Sequence, residues 1–479
     1  MKNSKRLLVL AVAAACGAPL AAYATNGMDL EGYGPIATAM GGASMAYDNG
    51  TAAMMNNPAT LGMMSDGNQL DVALGELSPD VKASFPAMSK SWKSSSDAFF
   101  MPAVGWARKN GQLTWGIGAF AQGGMGTQYD NGGPGTAFTQ MGIQMAGENP
   151  AAISSWRERS EVGVMRLLVP VAYNVNNKLT IGGSVDYVRA SMDLQMAMPY
   201  STMSTMMTPG NSVGTITPNA AMGGALTNLG SAGPNGIYGG YFNFSDGSPY
   251  TGKTSGAGFA AKIGFTYVVS PALSIGGVYQ SATSLGDLTG NGSMSVAYDA
   301  AGTASTATMS GKYTIKDFQW PSTYGLGLSY KPTSKWMVAA DIKQIQWSEV
   351  MKNFKLNFTG NAAAGGAAMD ATMYQNWKDQ TVIELGGAYA ATDAWTLRAG
   401  VNLASNPIPD STINYLFPAT VENSYTAGFG YAFSKASEVN FSLTMVPQVS
   451  VTGSNASSNQ GLKVSHAQTN WQLMYSHRF

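Results

Sequence analysis

The residues that could carry acid–base, nucleophilic or metal chemistry are few in this 479-residue chain. It has two histidines, His466 and His477, and a single cysteine, Cys16. The sequence contains no Cys/His spacing of a metal site and no glycine-rich motif for a phosphate or dinucleotide. His466 could act as the base for a serine, yet no nucleophile or acidic partner stands out beside it. We therefore expect a protein that is not an enzyme and that needs no metal or cofactor.

Six charged side chains fall on the inward phase of the strands described below. They are Arg166, Lys262, Asp341, Lys343, Glu384 and Arg398. One interpretation is a ladder of ion pairs that holds an internal segment in place. The other is that Arg398 or Lys262 binds a ligand carboxylate, because charge-assisted hydrogen bonds to such a group are strong. The sequence favours the first interpretation and leaves the second open.

Methionines cluster in one long connection between strands. The cluster consists of Met192, Met196, Met198, Met203, Met206 and Met207. Flexible thioether side chains suit a surface that captures varied apolar ligands. The alternative is a loop that packs on its neighbours or on lipopolysaccharide.

The first 24 residues have the form of a secretory signal peptide. A basic start with Lys2, Lys5 and Arg6 precedes an apolar run from 7 to 15 that is too short to span a bilayer. Small residues at Ala22 and Ala24 predict cleavage after Ala24. The alternative is a lipoprotein signal that uses Cys16, although the residues before it lack the usual leucine. Under the favoured interpretation the mature chain has no cysteine.

Composition narrows the class of protein further. Removing the three basic residues of the leader from the 27 of the chain leaves 24 against 27 acidic residues, a net charge of about −3. This balance predicts no nucleic-acid partner. Charged residues make up 11% of the chain, whereas soluble domains have about 25%. Few charges, 58 glycines and no long apolar run favour a membrane β-barrel over a secreted β-solenoid or β-sandwich.

Apolar and polar residues alternate along the chain with the period of a β-strand. In 178–189, for example, Leu179, Ile181 and Val185 share one face, opposite small polar residues. Fourteen such segments are predicted: 68–77, 98–109, 112–121, 161–175, 178–192, 257–270, 272–283, 317–331, 335–347, 380–392, 394–405, 422–435, 436–449 and 464–479. Short turns alternate with long links between them, as in an outer-membrane barrel with short periplasmic turns and long outer loops.

Both ends of the mature chain add to this interpretation. The last segment places Trp471, Leu473 and Tyr475 at alternate positions before a terminal Phe479, the form of signal that the outer-membrane assembly machinery reads. Residues 25–67 are rich in small and turn-forming residues and do not read as strand. A lumen surrounded by fourteen strands is wide enough for water unless something fills it. We therefore expect 25–67 to lie either in the periplasm or inside the barrel.

A set of short motifs spans nearly the whole mature chain. They are Met40-Gly41-Gly42-Ala43 and Asn57-Pro58-Ala59 within Gly27 to Gly62, then 320–327, 340–342, 345–348, 395–400 and 406–410. In the order and spacing of these motifs the sequence resembles the FadL/TodX-type outer-membrane transporters of long-chain fatty acids and aromatic hydrocarbons.

The resemblance implies a fourteen-stranded barrel (68–479) with an N-terminal hatch (25–67) inside its lumen. Hatch and gating residues are then Gly41, Gly42, Asn57, Pro58 and Ala59. Outer loops would capture the ligand, with Met196, Met198, Met203, Met206 and Met207 as candidates here. Fatty-acid-carrying relatives place a basic residue just before the tenth strand, where Lys378 is the nearest candidate.

The resemblance also implies that ligand leaves sideways, through a gap in the barrel wall at a kinked strand. The third strand is our candidate, because it contains Gly116 and Gly118 and is followed by Gly123 and Gly124. Glycine weakens and bends strands, although ordinary barrel curvature would explain these residues equally well.

The sequence thus predicts an outer-membrane transporter for hydrophobic compounds that acts as a monomer among outer-membrane lipid and lipopolysaccharide. A general diffusion porin and a structural or adhesive barrel are the alternatives. A porin would need an open lumen, whereas an adhesin would need only long outer loops. The sequence does not identify the ligand.

Overall fold

The computed structural model describes residues 26–248 and 251–479. The predicted signal peptide, 1–24, lies outside these residues. No helix in the described part of the chain is both long and apolar enough to cross a membrane. The α-helices are α1 Pro35–Thr38, α2 Pro134–Met145, α3 Tyr200–Met207, α4 Ala220–Gly230 and α5 Trp347–Val350. The 3-10 helices are η1 Gly50–Met54, η2 Pro58–Met63, η3 Pro86–Met88, η4 Pro150–Ile153, η5 Ala362–Ala364 and η6 Asp410–Thr412.

Twenty-two strands form one sheet. They are β1 Gly67–Phe85, β2 Lys90–Lys93, β3 Phe99–Asn110, β4 Leu113–Tyr129, β5 Glu158–Asn174, β6 Leu179–Pro199, β7 Gly214–Pro218, β8 Ile237–Phe244, β9 Thr254–Ser270, β10 Leu273–Gln280, β11 Ser284–Leu285, β12 Leu288–Asp299, β13 Ala304–Lys316, β14 Thr323–Tyr330, β15 Trp336–Ile345, β16 Asn353–Gly360, β17 Ala368–Tyr374, β18 Gln380–Ala390, β19 Trp395–Ala404, β20 Ser424–Ala432, β21 Ser437–Thr452 and β22 Lys463–Arg478.

The sheet closes into an antiparallel barrel. Following the pairings from strand to strand, the ring runs β1, β3, β4, β5, β6, β9, β10, β14, β15, β18, β19, β20, β21, β22 and returns to β1. These strands coincide with the predicted segments to within a few residues, apart from longer outer ends in β1, β4 and β6 and a start of β14 six residues later than predicted. Closure pairs each ring strand with two neighbours, which limits the unpaired backbone groups that are costly in a membrane.

The prediction of fourteen strands was too low for the sheet as a whole. Most of the other strands continue the wall outside the ring, in the order β6–β8–β12–β13–β16–β17–β7. We call β7, β8, β12, β13, β16 and β17 the outer extension. The sequence analysis treated these segments as loops. Their outward face is polar, as with Thr308, Ser310 and Lys312 of β13, so they lack the apolar outward face by which the ring strands were identified.

The outer surface of the ring is apolar, as the alternation predicted. Ile263, Leu326 and Val185 are among its most exposed side chains, at 65%, 59% and 62%. Exposed aromatic residues lie close to the short turns and to the C-terminus, as in the aromatic girdle that outer-membrane barrels place at the membrane interface. They are Trp115, Tyr173, Tyr267, Tyr330, Trp336, Trp395, Phe433, Tyr475 and Phe479.

Residues 26–64 lie inside the ring, and we call them the lumenal segment. Of these residues only Asp48 is exposed. The segment contains α1, η1 and η2, which contact different parts of the wall: α1 lies against β20–β22, η1 against β1 and β3, and η2 against β5, β6 and β9. The segment therefore fills the cross-section of the barrel rather than lining one side of it.

The outward face can be tested with a charge placed at mid-strand. We expect Leu326→Arg to lower the free energy of unfolding by about 2–4 kcal/mol, because an arginine near the bilayer midplane loses its hydration. Thr303→Arg, in an exposed turn between β12 and β13, is the matched control and should change it by less than about 0.5 kcal/mol. Denaturant titration of protein folded into lipid vesicles measures both. Equal effects would contradict the assignment of the lipid face.

Candidate transport pathway

A large cavity of ≈ 560 Å³ opens between the outer loops, and we call it the outer cavity. Its walls come from α2 with Phe138 and Met141, from the end of β6 with Met196 and Met198, and from the 405–423 connection with Tyr415. None of the described residues that line it is charged. Apolar and neutral polar groups therefore meet any molecule that enters.

In the structure, the methionines of the predicted cluster lie in different surroundings. Met196, Met198 and Met206 line the outer cavity. Met203 is buried and packs over Gly240 instead, and Met207 is partly exposed. Ligand capture by these residues stays a prediction, with the first three in position for it.

A second, inner cavity lies deeper in the lumen. It is lined by Met28, Val162, Met192, Leu194, Met196, Phe318, Met351, Phe354, Met373, Gln375, Asn414 and Phe417. It shares Met196, Met373, Gln375 and Asn414 with the outer cavity, so the two are neighbours along one route. Its volume is ≈ 20 Å³, room for about one water molecule. A larger ligand would have to displace the side chains around it.

Three tryptophans lie buried in the lumen near this route. The rings of Trp320 and Trp347 are 5.6 Å apart, and those of Trp347 and Trp377 are 5.3 Å apart. Gly27 leaves room for the Trp347 ring and Gly123 for the Trp320 ring. Trp320 and Trp347 fell at the ends of predicted strands and in family motifs, and their mutual contact was not predicted, because strand periodicity does not mark an aromatic contact between separate segments.

The pairing of β4 breaks near its middle. Its pairing with β3 ends at Ala103 and Phe120, while its pairing with β5 contains a bulge between Ala121 and Gly123. Past the bulge, Gly124 N donates to Met28 O of the lumenal segment at 3.0 Å. The freed edge of β4 is thus partly paired from inside the barrel. Wall contact resumes further out, where Ser95 N donates to Gln128 O.

The four predicted glycines fall on two sides of this break. A side chain at Gly123 would collide with Met28 O and Trp320, and Gly124 has a φ of +158°. Gly116 and Gly118 lie below the break in paired backbone, where both approach the Met54 side chain of the lumenal segment. The break and the inward approach of the segment therefore depend on Gly123 in particular.

A small cavity of ≈ 30 Å³ lies beside the break. Tyr33 and Ala52 of the lumenal segment face Ala103 of β3 and Phe120 of β4 across it. The cavity leads towards the unpaired stretch between β3 and β4.

Two of the six inward charges, Arg166 and Lys262, form one buried cluster with Asp186. Arg166 donates to Asp186 at 2.7 Å, and the Lys262 ammonium lies 3.6 Å from the same carboxylate. Lys262 also donates to Met54 O at 3.2 Å. This cluster therefore joins β5, β6 and β9 to the lumenal segment.

The other charges lie on the opposite wall. Lys343 pairs with Glu384 at 2.8 Å, and Asp341 accepts from the main-chain amides of Ser44 and Met45 at 2.6 and 3.0 Å. Arg398 donates to Asn440. None of the six charges lines the outer or the inner cavity. Their contacts agree with the interpretation that they hold an internal segment.

Lys378 lies just before β18, the tenth strand of the ring, as the family pattern implied. Its side chain is exposed, and its main-chain amide donates to Pro407 O at 2.8 Å. It lines neither cavity. No cation therefore faces the route at this position.

The predicted hatch residues anchor the lumenal segment to itself and to the wall. The Asn57 side-chain amide donates to Met45 O at 2.8 Å and to Phe265 O of β9 at 3.1 Å, while its oxygen caps η2 at Ala59 N. Pro58 begins η2, and Ala59 packs on Gly182 of β6. The Gly41 amide donates to Thr426 of β20 at 3.0 Å, and Gly42 lies against Glu384.

A buried carboxylate fixes one wall of the outer cavity. Glu158 accepts from Thr136 N at 2.9 Å, near the N-terminus of α2, where the helix dipole favours a negative group. The Tyr415 hydroxyl accepts from Gly135 N in the same turn at 3.2 Å. Burial, and then the charge of Glu158, raises the pKa of Tyr415 well above its usual value. The hydroxyl therefore stays neutral at physiological pH, and α2 stays tied to the 405–423 connection.

A closed antiparallel ring with an apolar outer face, a filled lumen and a chain of cavities defines an outer-membrane channel with an internal plug. The chain belongs to the family described as "Outer membrane protein transport protein (OMPP1/FadL/TodX)", which matches residues 10–478.

Solved structures of this type resemble it closely. The toluene transporter TodX of Pseudomonas putida has a TM-score of 0.79 at 28% identity, over 94% of this chain and 99% of TodX. The toluene transporter TbuX of Ralstonia pickettii has a TM-score of 0.72 at 29% identity, over 94% and 99%. A Pseudomonas aeruginosa FadL homologue, with a TM-score of 0.67 and 14% identity over 95% and 100%, shares the fold.

A curated relative matches over a shorter stretch. An uncharacterized protein of Chlorobium limicola, from the 5′ region of a phosphoenolpyruvate carboxykinase gene, is 54% identical over 61 residues. The match spans 12% of this chain and 30% of the length of that relative.

Family membership confirms several predictions made from the sequence. The chain is an outer-membrane β-barrel of the FadL/TodX type and a transport protein rather than an enzyme. Transport of hydrophobic compounds is confirmed at the level of the family.

The anchoring of the lumenal segment can be tested at Asn57. We expect Asn57→Ala to weaken its docking by about 1–3 kcal/mol, because two carbonyl groups and the η2 cap lose their partner in a buried place. Hydrogen exchange of residues 26–64 should then accelerate about tenfold or more. Asn149→Ala is the matched control, since Asn149 caps η4 in the same way but is exposed. Unchanged exchange in Asn57→Ala would contradict the anchoring role.

Proposed function

We propose that this protein carries uncharged hydrophobic compounds, of the size of monoaromatic hydrocarbons, across the outer membrane. The observation that carries the proposal is the absence of charged side chains among the described residues that line the outer and inner cavities. A carboxylate ligand would have to leave water with no cation to receive it, at a cost of several kcal/mol. A neutral hydrocarbon avoids that cost.

The chemistry of the cavity walls supports an aromatic or aliphatic ligand. Methionine and phenylalanine dominate the inner cavity, with Met28, Met192, Phe354 and Phe417 among its lining residues. Thioether groups adapt their shape to a ligand and make favourable contacts with aromatic rings. TodX and TbuX are toluene transporters and are 28% and 29% identical to this chain over 94% of its length. Their similarity supports the same class of ligand here.

The route that we propose begins at the outer cavity, continues through the inner cavity and ends at the break in β4. Met28 separates the last two, since its side chain lines the inner cavity and its carbonyl oxygen pairs with Gly124 at the break. Passage requires that Met28 and its neighbours move. The gap between β3 and β4 past Ala103 and Phe120 is then the exit.

Release into the membrane rather than into the periplasm has a thermodynamic reason. Each methylene group gains about 0.8 kcal/mol by staying out of water. A sixteen-carbon chain would therefore lose on the order of 12 kcal/mol on entering the periplasm, and a small arene would lose correspondingly less. A lateral exit avoids the whole of this barrier for either ligand.

The domain organisation that we propose is a signal peptide at 1–24, a hatch at 25–67 and a barrel at 68–479. Burial of nearly all residues from 26 to 64 inside the ring supports the hatch. The same burial argues against a diffusion porin, which needs an open lumen. It also argues against an adhesive barrel, whose function would not require contacts inside the lumen.

The partners that we propose are those of an outer-membrane monomer. An open groove of ≈ 750 Å³ on the outer extension is lined only by polar residues and glycines, with Lys253 and Lys312 as its cations, and suits the anionic sugars of lipopolysaccharide. Phe479 is exposed at the end of β22 and can be read by the assembly machinery. Closure of the ring by the β1–β22 pairing supports a monomer, because the first and last strands already pair with each other.

Uptake of labelled toluene and labelled palmitate by cells that express the protein tests the ligand class. We expect toluene uptake to rise above that of cells without the protein, and palmitate uptake to stay unchanged. Met196→Lys should lower toluene uptake more than about tenfold, because an unpaired ammonium in the shared cavity wall is costly to desolvate. Met145→Lys, at an 86% exposed position on the cavity rim, is the control. Palmitate uptake equal to toluene uptake would contradict the proposal.

Planar-bilayer conductance tests the hatch. We expect the intact protein to conduct poorly, and a variant that lacks residues 26–64 to conduct at least about tenfold better, because fourteen strands surround a water-accessible lumen. Asn57→Ala should fall between the two. High conductance in the intact protein would favour a diffusion porin instead.

A further inference from the structure

The extra residue in the β4 bulge, Gln122, is held at both of its polar ends. Its main-chain carbonyl oxygen lies 2.7 Å from the Tyr33 hydroxyl oxygen. Its side-chain oxygen accepts a hydrogen bond from Arg166 Nε at 2.5 Å. Gln122 is 1% exposed and Arg166 is fully buried. The bulge is therefore tied to the lumenal segment on one side and to β5 on the other.

We propose that Tyr33, Gln122 and Arg166 form a clamp that positions the break in β4 and sets the width of the gap between β3 and β4. The inference rests on the proposed function, because the gap is the proposed exit. Tyr33 and Gln122 are positioning residues, since neither lines the outer or the inner cavity. Arg166 is itself fixed by Asp186 at 2.7 Å, so that the clamp stands on a rigid base.

The contacts of Tyr33 make this clamp depend on the protonation of Asp29. The Tyr33 hydroxyl oxygen also lies 2.5 Å from Asp29 Oδ1. A hydroxyl has one hydrogen to donate, and a main-chain carbonyl has none. Both contacts are hydrogen bonds at once only when Asp29 is protonated and donates to Tyr33, while Tyr33 donates to Gln122. An ionised Asp29 competes for the Tyr33 hydrogen, because a charge-assisted hydrogen bond is the stronger one.

The groups around Asp29 determine the pH range in which its carboxyl group loses its proton. Burial raises the pKa of Asp29 above its usual value, although other groups act in the opposite direction. These are the hydrogen bond from Tyr33 and the positive charges of Lys343, Arg166 and Lys262, and Glu31 is the other carboxylate close to Tyr33. The clamp is therefore complete below the raised pKa of Asp29 and is released as the pH rises through it.

Distances across the gap test the clamp directly. Spin labels at Phe100→Cys on β3 and Met165→Cys on β5 flank the break, and Cys16, the only natural cysteine, lies in the predicted signal peptide. In the full barrel in lipid we expect a narrow distance distribution at pH 5 and a broader one at pH 9. Tyr33→Phe should be broad at both pH values. Asp29→Asn should be narrow at both, because an uncharged amide keeps donating to Tyr33.

Tyr47→Phe is the matched control. Tyr47 is another buried tyrosine of the lumenal segment, but its hydroxyl donates to Ala43 O within the segment rather than to the wall. This variant should behave as the wild type at both pH values. A Tyr33→Phe distribution as narrow as that of the wild type at pH 5, or a pH-dependent distribution in Asp29→Asn, would overturn the clamp. A heat shift in gel electrophoresis verifies that each barrel is folded.

Toluene uptake separates this proposal from the proposed function. We expect Tyr33→Phe to lose the pH dependence of uptake and, at pH 5, to exceed the wild-type rate about threefold. A wild type that takes up no toluene would refute the proposed function, while the spin-label distances would still decide on the clamp. A wild type that takes up toluene at the same rate as Tyr33→Phe at every pH would refute the clamp alone.

Discussion

The need to pair backbone groups away from water governs this structure. A barrel in lipid satisfies that need by closure, and here closure extends to the pairing of β1 with β22. At the break, β4 loses its backbone pairing with β3. The lumenal segment replaces part of this pairing, because Met28 O accepts a hydrogen bond from Gly124 N of β4. The proposed hatch and the proposed exit are thus not separate features, because the segment that fills the lumen also pairs with the wall at the break.

The contacts of the charged side chains in the lumen follow from the same need to pair polar groups away from water. Arg166, Lys262, Lys343 and Glu384 lie in pairs or against carbonyl groups of the segment, and no charged residue is among the described residues that line the outer and inner cavities. Polar and ionic contacts hold the lumenal segment, including those of Asp341 and Asn402 with residues 41–45. In the proposed function, this separation lets a hydrophobic ligand pass along the other side of the segment.

Much of this fold could be predicted from the sequence, because alternation in ring strands reports the contrast between lipid and lumen. The same signal failed for the outer extension, where β13 faces solvent with Thr308 and Ser310. Glycine content marked β4 as irregular but could not separate Gly116 from Gly123, since only the neighbours Met54 and Met28 distinguish them. Contacts between distant segments, such as Tyr33 with Gln122, leave no periodic trace in a single sequence.

The pairing of β1 with β22 also has a consequence for biogenesis. Partners such as Gln69 and Arg478 stand at opposite ends of the barrel sequence, so the seam can form only after every other strand has been delivered. Contacts of such long range make folding slow. The lumenal segment precedes β1, yet its native surroundings exist only within the finished cylinder. The segment therefore stays in a nonnative conformation until the last hairpin has joined the sheet. It becomes enclosed at the step that completes assembly.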